Sequence, residues 1–304
     1  MWEQESYDRA SYEKGKLAAR SDAPVLIVGE TGVGKEVLAR SIHQHSARRN
    51  MAFVPVSCAS IASTLFESEL FGHTKGAFTG ATESKKGFIE IANCGTLFLD
   101  EISEVPSGMQ TKLLRVIETK EYYQVGNTTA KTADFRLISA SNRSITELNN
   151  GQLLRKDFLY RINTFVIEVP PLRQRRDAIP DLLTHFISLS GSPAKFSGKA
   201  IELILCYPFP GNIRELRNMV DYAVASAAEK ASVIDAGHLP RSLLDYCGMI
   251  TCRDASNLRK TLACFTATYV RYVLNENEGD VNKAAEQLGV SRATVYRAIR
   301  RGKG

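Results

Sequence analysis

The stretch Val25-Leu26-Ile27-Val28-Gly29-Glu30-Thr31-Gly32-Val33-Gly34-Lys35-Glu36 decides the fold. Four apolar residues, two of them valine, run directly into three closely spaced glycines and a lysine, and a helical pattern follows over Glu36–Ser46. A short all-apolar run reads as a strand buried on both faces, which belongs in a parallel sheet covered by helices. Gly29 to Lys35 fits G-x-x-x-x-G-K between that strand and that helix, the context a phosphate-binding P-loop requires. Glycines let the backbone fold round a polyphosphate with its N–H groups inward, and the Lys35 ammonium neutralises charge on the β and γ phosphates. The next position, commonly Ser or Thr, is Glu36, so the usual magnesium-ligating hydroxyl is missing. Taken alone, the segment also reads as a Gly-rich turn with no ligand.

Four more apolar runs carry the pattern outward: Phe53–Val56, Thr96–Leu99, Arg136–Ala140 and Phe165–Val169. With helical stretches between most of them they predict an α/β fold with a parallel sheet. Gly95-Thr-Leu-Phe-Leu-Asp100-Glu101 ends one run on two carboxylates and looks like a Walker B motif. Asp100 is then the residue to hold Mg²⁺, directly or through water, and Glu101 the one to orient and deprotonate an attacking water. The plainer alternative is that Asp100 caps the helix that follows. Pro170-Pro171 stops the last run, and Ala178 to Ala236 reads as helical throughout. Pro240 to Asn257 reads as a connection, and helical periodicity resumes from Leu258 to Arg300.

Composition sets the outer limits. The chain has 304 residues, 39 Lys plus Arg against 33 Asp plus Glu, and a net charge of +6. With 44% apolar and 24% charged residues it is an ordinary globular chain, which excludes wholesale disorder. The six cysteines show no CxxC pair or zinc-ligand spacing and are expected as reduced thiols. No apolar run approaches the roughly 18 residues of a membrane helix, and the N-terminus is unlike a signal peptide, so a soluble, cytoplasmic protein is expected.

Between the two phosphate motifs lies Glu69-Leu-Phe-Gly-His-Thr-Lys-Gly76-Ala77-Phe78-Thr79-Gly80-Ala81. Its GAFTGA segment, complete at Gly76–Ala81, resembles the bacterial sigma-54-dependent transcriptional activators, a family of AAA+ ATPases. The resemblance covers roughly Tyr12 to Arg300. It implies an AAA+ α/β subdomain over residues 1–173, an all-helical lid over 174–240, a linker over 241–257 and a Fis-type helix-turn-helix over 258–304. It implies that Gly76, Ala77, Phe78, Thr79, Gly80 and Ala81 tip a mobile loop that contacts sigma-54. Two glycines suit a mobile tip, and Phe78 and Thr79 offer one aromatic and one hydroxyl contact. By the same resemblance Asn142, after Ser139-Ala-Ser, is sensor I, and Arg214 in Gly211-Asn-Ile-Arg-Glu-Leu216 is sensor II. Arg155 and Arg161 match the family's arginine fingers, which reach the neighbouring subunit's ATP; a solvated helix face or an internal pair with Asp157 is the alternative.

Three positions depart from the family pattern. Ser57-Cys58 stands where Asn-Cys is common, and that Asn restrains the catalytic Glu until the ring meets its target; Ser57 offers no amide. Ser141 replaces a Thr but keeps the hydroxyl. Lys156 replaces an acidic residue between the two fingers. Only about 24 residues precede the first strand, so the chain is expected to be a fragment or to be controlled by a separate regulatory protein.

From Asp280 to Gly304 six basic residues face two acidic ones, a net +4 that accounts for most of the chain's excess charge. Asn282 to Tyr296 reads as helix, turn at Gly289, and a second helix capped by Ser291. Ala284, Ala285, Leu288, Val295 and Ile299 form the predicted core. Arg292, Thr294, Tyr296, Arg297 and Arg300 are left to meet the bases and phosphates of double-stranded enhancer DNA. Leu258–Asn277 is the expected supporting helix and, by resemblance, a dimer contact. The whole implies an ATP- and Mg²⁺-dependent activator that assembles into a ring, expected as a hexamer, and remodels sigma-54 RNA polymerase. A DNA-binding regulator using ATP only as an assembly switch, and a generic AAA+ replication or loader ATPase, are the alternatives; neither accounts for an intact GAFTGA beside an intact Walker B pair.

Overall fold

The computed structural model describes residues 9–227, 232–251, 270, 273–274, 277 and 279–301. The chain divides into two compact units, Met1–Ala178 with Gly211–Ile213, and Ile179–Pro210 with Arg214–Gly304.

The first unit is built on five strands: β1 (Val25–Val28), β2 (Phe53–Ser57), β3 (Thr96–Asp100), β4 (Arg136–Ser141) and β5 (Phe165–Glu168). They form one sheet in the order β2-β3-β4-β1-β5, parallel at every pairing. Alternation within each short run sends side chains to both faces. Leu26, Val28, Leu97, Leu99 and Leu137 pack on one face with Phe66, Leu70, Leu113 and Phe158. Val25, Ile27, Phe98, Ile138 and Ala140 pack on the other with Leu38 and Ile42 of helix α2 (Lys35–Gln44) and with Tyr12 and Ala18 of helix α1 (Arg9–Ala19). Both faces are therefore covered, which is why the central positions of these strands are mostly apolar. Helices α3 (Ser107–Thr119) and α4 (Lys156–Ile162) complete the cover on the first of these faces.

The sequence reading omitted two small hairpins of this unit, Gly72–His73 with Lys85–Lys86 and Glu121–Tyr122 with Lys131–Thr132. Each strand is two residues long, too short for alternation to register.

In the second unit, α5 (Ile179–Leu189), α6 (Gly198–Cys206), α7 (Asn212–Ser226, its first two residues counted with the first unit) and α8 (Arg241–Thr251) dominate. The expectation of no strand between 178 and 236 needs correction. Lys195–Phe196 pairs in parallel with Val233–Ile234. Residues 241–251, read as connection, form α8 instead, because Leu243 and Cys247 are buried and the Cys247 thiol donates to the Leu203 carbonyl at 3.2 Å. Tertiary burial overrides a weak helical period there. Residues 252–257 lie outside the described residues, as does most of the expected supporting helix, Leu258–Asn277, with its dimer contact, and so do Cys252 and Cys264.

Helices α9 (Val281–Gln287) and α10 (Arg292–Arg301) form the predicted helix-turn-helix, with Asp280 capping the first and Ser291 accepting from the Thr294 N–H at 3.3 Å. Ala285 and Val295 share a core with Val270 and Ala298, and Leu288 packs against it. Ala284 is fully buried, while the Ile299 side chain lies outside the described residues. Among the described residues no helix is long and apolar enough to cross a membrane.

Candidate nucleotide site and output loop

Because all five strands run the same way, their carboxyl ends share one edge, the usual ligand edge of an open α/β sheet. That edge gathers Gly29 after β1, Ser57 ending β2, Asp100 ending β3 and Asn142 just beyond β4. In register, Ser57 lies beside Asp100 and Val28 beside Ser141. Four predicted site segments from distant parts of the sequence thus meet through topology alone.

A Cβ at Gly29 would lie 2.7 Å from the Val169 carbonyl, so the loop can leave the sheet at this point only as glycine. Gly34 takes φ 100°, ψ 24° and opens α2 with no side-chain cap, so the N-terminal end of that helix, the end that favours anions, directly follows the glycine turn. Lys35 is buried, and its ammonium donates to the Gly29 and Glu30 carbonyls at 2.7 and 3.1 Å. Glu36 is exposed and accepts from Arg40 one turn on, at 2.7 Å. Thr31 is exposed, Gly32 half-buried and Val33 fully buried.

Outside the loop stands a group of residues that the sequence reading did not assign to it. The Arg173 guanidinium forms a two-pronged pair with the Glu30 carboxylate at 2.7 and 2.5 Å. These bonds hold the Glu30 carboxyl below its ordinary range against the opposing effect of burial. The Asn212 amide donates to Glu30 and to the Thr31 carbonyl, both at 3.1 Å, the Ile213 N–H donates to the Gly32 carbonyl at 3.0 Å, and Arg175 donates to the Val33 carbonyl at 2.8 Å. Asn212 sits in the Gly211–Leu216 motif quoted for the family and Arg173 follows Pro170-Pro171, but their direction toward the loop is a long-range fact that no spacing rule reveals.

At the end of β3, Asp100 accepts from the Glu101 N–H at 3.0 Å through one oxygen, and its other oxygen makes no hydrogen bond among the described residues. The bond is to the next residue's N–H, so Asp100 shapes the turn. Glu101 sits at φ 55°, ψ 52°, left-handed for a non-glycine residue, a strained conformation of the kind that clusters at functional sites. Cys58, next to Ser57, is a free, buried thiol pushed up to about 12, first by burial and then by the negative charge of Asp100 and Glu101. It is inert as a nucleophile and marks how close the two carboxylates lie. Asn142 is exposed, and the Ser141 hydroxyl accepts from the Arg143 N–H at 3.0 Å.

The presumed fingers lie elsewhere. α4 precedes β5, so its carboxyl end approaches the opposite, amino edge of the sheet. There Arg161 lines a cavity of about 290 Å³ with Pro24, Phe135 and Thr164, the residues just ahead of β1, β4 and β5. The chain's own fold therefore does not bring Arg161 to its own P-loop. Arg161 is exposed and makes no ion pair among the described residues. Arg155 caps α4 and donates to Asp157 at 3.1 and 2.7 Å, which is the internal pair weighed above. Both partners are exposed, so that pair is weak in water and no obstacle to another use of Arg155. Its backbone is held by Gln110 of α3, a fully buried amide the sequence reading passed over. Gln110 accepts from the Arg155 N–H at 2.8 Å and donates to the Val105 and Leu153 carbonyls, both at 3.0 Å. One side chain thus ties the turn that follows Glu101 to the segment carrying Arg155.

The Gly76–Ala81 loop closes on itself: the Gly76 N–H donates to the Ala81 carbonyl at 2.9 Å and the Ala81 N–H to the Phe78 carbonyl at 3.0 Å. Gly80, at φ 102°, has open space where a Cβ would stand. Thr79 is exposed, and Phe78 is 40% exposed with its ring edge-on to His73 at 5.0 Å. Ala77 nests against Gly126, where an added Cβ would come within 2.7 Å of the Ala77 methyl. The Thr74 N–H donates to the Val125 carbonyl at 3.0 Å, so the Glu121–Thr132 hairpin buttresses the loop.

Arg214 belongs to the second unit and is exposed on α7. Arg292, Tyr296 and Arg297 are exposed on α10 and Thr294 is half-buried, its hydroxyl paired with Ser291 at 2.9 Å; the Arg300 side chain lies outside the described residues. Among the described residues no group of three or more His, Cys, Asp or Glu is placed to hold a metal ion.

Residues 2–168 match the family described as the Sigma-54 interaction domain, residues 173–246 the AAA+ ATPase lid domain, and residues 268–302 the bacterial regulatory protein, Fis family. The alginate biosynthesis transcriptional regulatory protein AlgB of Pseudomonas aeruginosa is 40% identical over 298 residues, covering 95% of this chain and 64% of AlgB. The DNA-binding transcriptional regulator NtrC of Rhizobium meliloti is 36% identical over 314 residues, 92% of this chain and 65% of NtrC. Among solved structures, NtrX from Brucella abortus in complex with ADP superposes with a TM-score of 0.73 at 28% identity, over 96% of this chain and 67% of that one. The chain thus spans somewhat under two thirds of these two curated relatives.

Proposed function

The chain belongs to the sigma-54-dependent transcriptional regulators of the AAA+ class, and from that premise we propose that it hydrolyses ATP in a ring and uses the energy to remodel sigma-54 RNA polymerase on promoters reached through enhancer DNA. The observation that carries this reading is the convergence, at one sheet edge, of the P-loop, the Asp100–Glu101 turn and Asn142, in the same unit as a closed, exposed Gly76–Ala81 loop.

In this reading the backbone of Gly29–Glu36 and the Lys35 ammonium hold the β and γ phosphates, the Gly29 N–H itself being taken by the Ser141 carbonyl at 3.1 Å. Asp100 would hold a Mg²⁺, which would supply neutralisation of the charge that develops on the phosphates. Glu101 takes a proton from the attacking water, the task for which a carboxylate at the mouth of a strand is suited. Asn142 and Arg214 respond to the γ-phosphate. Arg161, with Arg155, completes the site of the neighbouring subunit, so the ATP site lies between copies of the chain. Arg292, Thr294, Tyr296, Arg297 and Arg300 contact DNA, with the salt sensitivity expected of phosphate contacts.

The output is assigned to Thr79 and Phe78. Thr79→Ala removes one exposed hydroxyl. ATP turnover is expected to stay at its native level while ATP-dependent open-complex formation with sigma-54 polymerase disappears. Unimpaired transcription by Thr79→Ala would refute the loop assignment.

A further inference from the structure

Every carbonyl from Gly29 to Val33 has a partner: Lys35 takes Gly29 and Glu30, Asn212 takes Thr31, the Ile213 N–H takes Gly32, and Arg175 takes Val33. The C=O and N–H groups at the two ends of each residue need opposite surroundings here: N–H groups must face the phosphates, so carbonyls must be anchored away from them. Three of the five anchors come from residues 175, 212 and 213, more than 140 positions downstream of the loop. Asn212 is the most constrained of them. It is fully buried, it holds φ 55° without being glycine, and its amide cannot turn over, because its oxygen accepts from the Leu172 N–H at 2.8 Å while its nitrogen donates to Thr31 and Glu30. Its place in the chain is equally particular. Gly211–Ile213 belongs to the first unit, while Pro210 before it and Arg214 after it belong to the second.

We infer that Asn212 is a positioning residue of the nucleotide site: with Arg175 it holds the phosphate loop in the shape that binds the β and γ phosphates. The inference rests on the ATP reading of the site given above. It is separate from the role assigned to Arg214, which concerns a direct response to the nucleotide. Asn212 touches no substrate; it acts through the Thr31 carbonyl and, by the next N–H, through that of Gly32.

The test uses the full chain and calorimetric titration with ATP and, separately, with tripolyphosphate, which probes the loop without a nucleoside. Asn212→Asp keeps the volume and the acceptor for Leu172 but turns a donor into a carboxylate facing Thr31 and Glu30. Arg175→Met removes the Val33 anchor and carries the same expectation should Asn212→Asp fail to fold. Loss of one such anchor is expected to raise the Kd for both ligands by about tenfold or more, the equivalent of one buried hydrogen bond. Thermal unfolding without ligand is measured beside it. A variant that melts earlier but binds tripolyphosphate with native affinity shows a structural role only and overturns the inference, as does native affinity with native melting. A native chain that binds neither ATP nor tripolyphosphate overturns the ATPase reading and this inference with it.

Discussion

Glu101→Gln is expected to lower steady-state ATP hydrolysis by about 10²- to 10⁴-fold, the range over which a positioned general base contributes. Binding of ATP should be unchanged, since the substitution keeps the size of the side chain and leaves Lys35 and the loop anchors intact. The conformation of Glu101 sharpens this expectation. It is held at φ 55° just beyond β3, a left-handed conformation that costs a non-glycine residue on the order of 1–3 kcal/mol. Phosphate release and nucleotide binding measured on the same preparation separate the two effects. A Glu101→Gln chain that still turns over ATP at near-native rate removes Glu101 from the chemistry and leaves Asp100–Glu101 as a structural turn.

Arg161→Ala is the second large effect. A guanidinium supplied to a neighbour's phosphate site is worth about 10³ to 10⁵ in rate, so the variant is expected to lose nearly all turnover while still binding ATP. The geometry predicts this as a trans effect: Arg161 opens onto a cavity beside the residues that precede β1, β4 and β5, at the edge of the sheet away from the chain's own P-loop. Two consequences follow from that placement. Native turnover per subunit should rise with protein concentration through the assembly range. Glu101→Gln and Arg161→Ala chains, each inactive, should recover activity when mixed, because an intact Glu101 in one copy meets an intact Arg161 from the other. Flat turnover with concentration, together with no recovery on mixing, would sink the shared-site proposal. Arg155→Ala is expected to act in the same direction; its pairing with Asp157 is solvent-exposed and easily exchanged for a phosphate.

The parts of the molecule legible in the sequence were those governed by local rules. Val25–Val28 reads as a strand and forms one with the same bounds, because a run buried on both faces leaves no polar position to blur its ends. Phe53–Val56, Thr96–Leu99 and Arg136–Ala140 each extend one residue further than read, to Ser57, Asp100 and Ser141, and those extra polar residues are the ones that reach the ligand edge. The Gly289 turn and the Ser291 cap were likewise legible, since turn and cap chemistry is local. What stayed hidden depends on distant partners. Gln110 looks like any polar residue on an amphipathic helix until Val105, Leu153 and Arg155 converge on its amide. Asn212 sits in a recognised motif whose attention falls on Arg214, yet its contacts are with residues 30 and 31. The Gly76–Ala81 loop was read as a mobile tip; the buttress it receives from Gly126 and Val125 is carried by a hairpin with two residues per strand. The segment 241–251 reads as a connection because burial of Leu243 and Cys247, rather than its own periodicity, selects the helix.

The central claim is that this chain converts ATP hydrolysis into opening of a sigma-54 promoter. The most direct test is open-complex formation by sigma-54 polymerase on a supercoiled template, with the purified chain and either ATP or a non-hydrolysable analogue. Open complexes are expected with ATP, none with the analogue, and none with ATP when Thr79→Ala replaces the native chain. Open complexes that form equally well with the analogue, or that never form with ATP although the chain hydrolyses it, would contradict the claim.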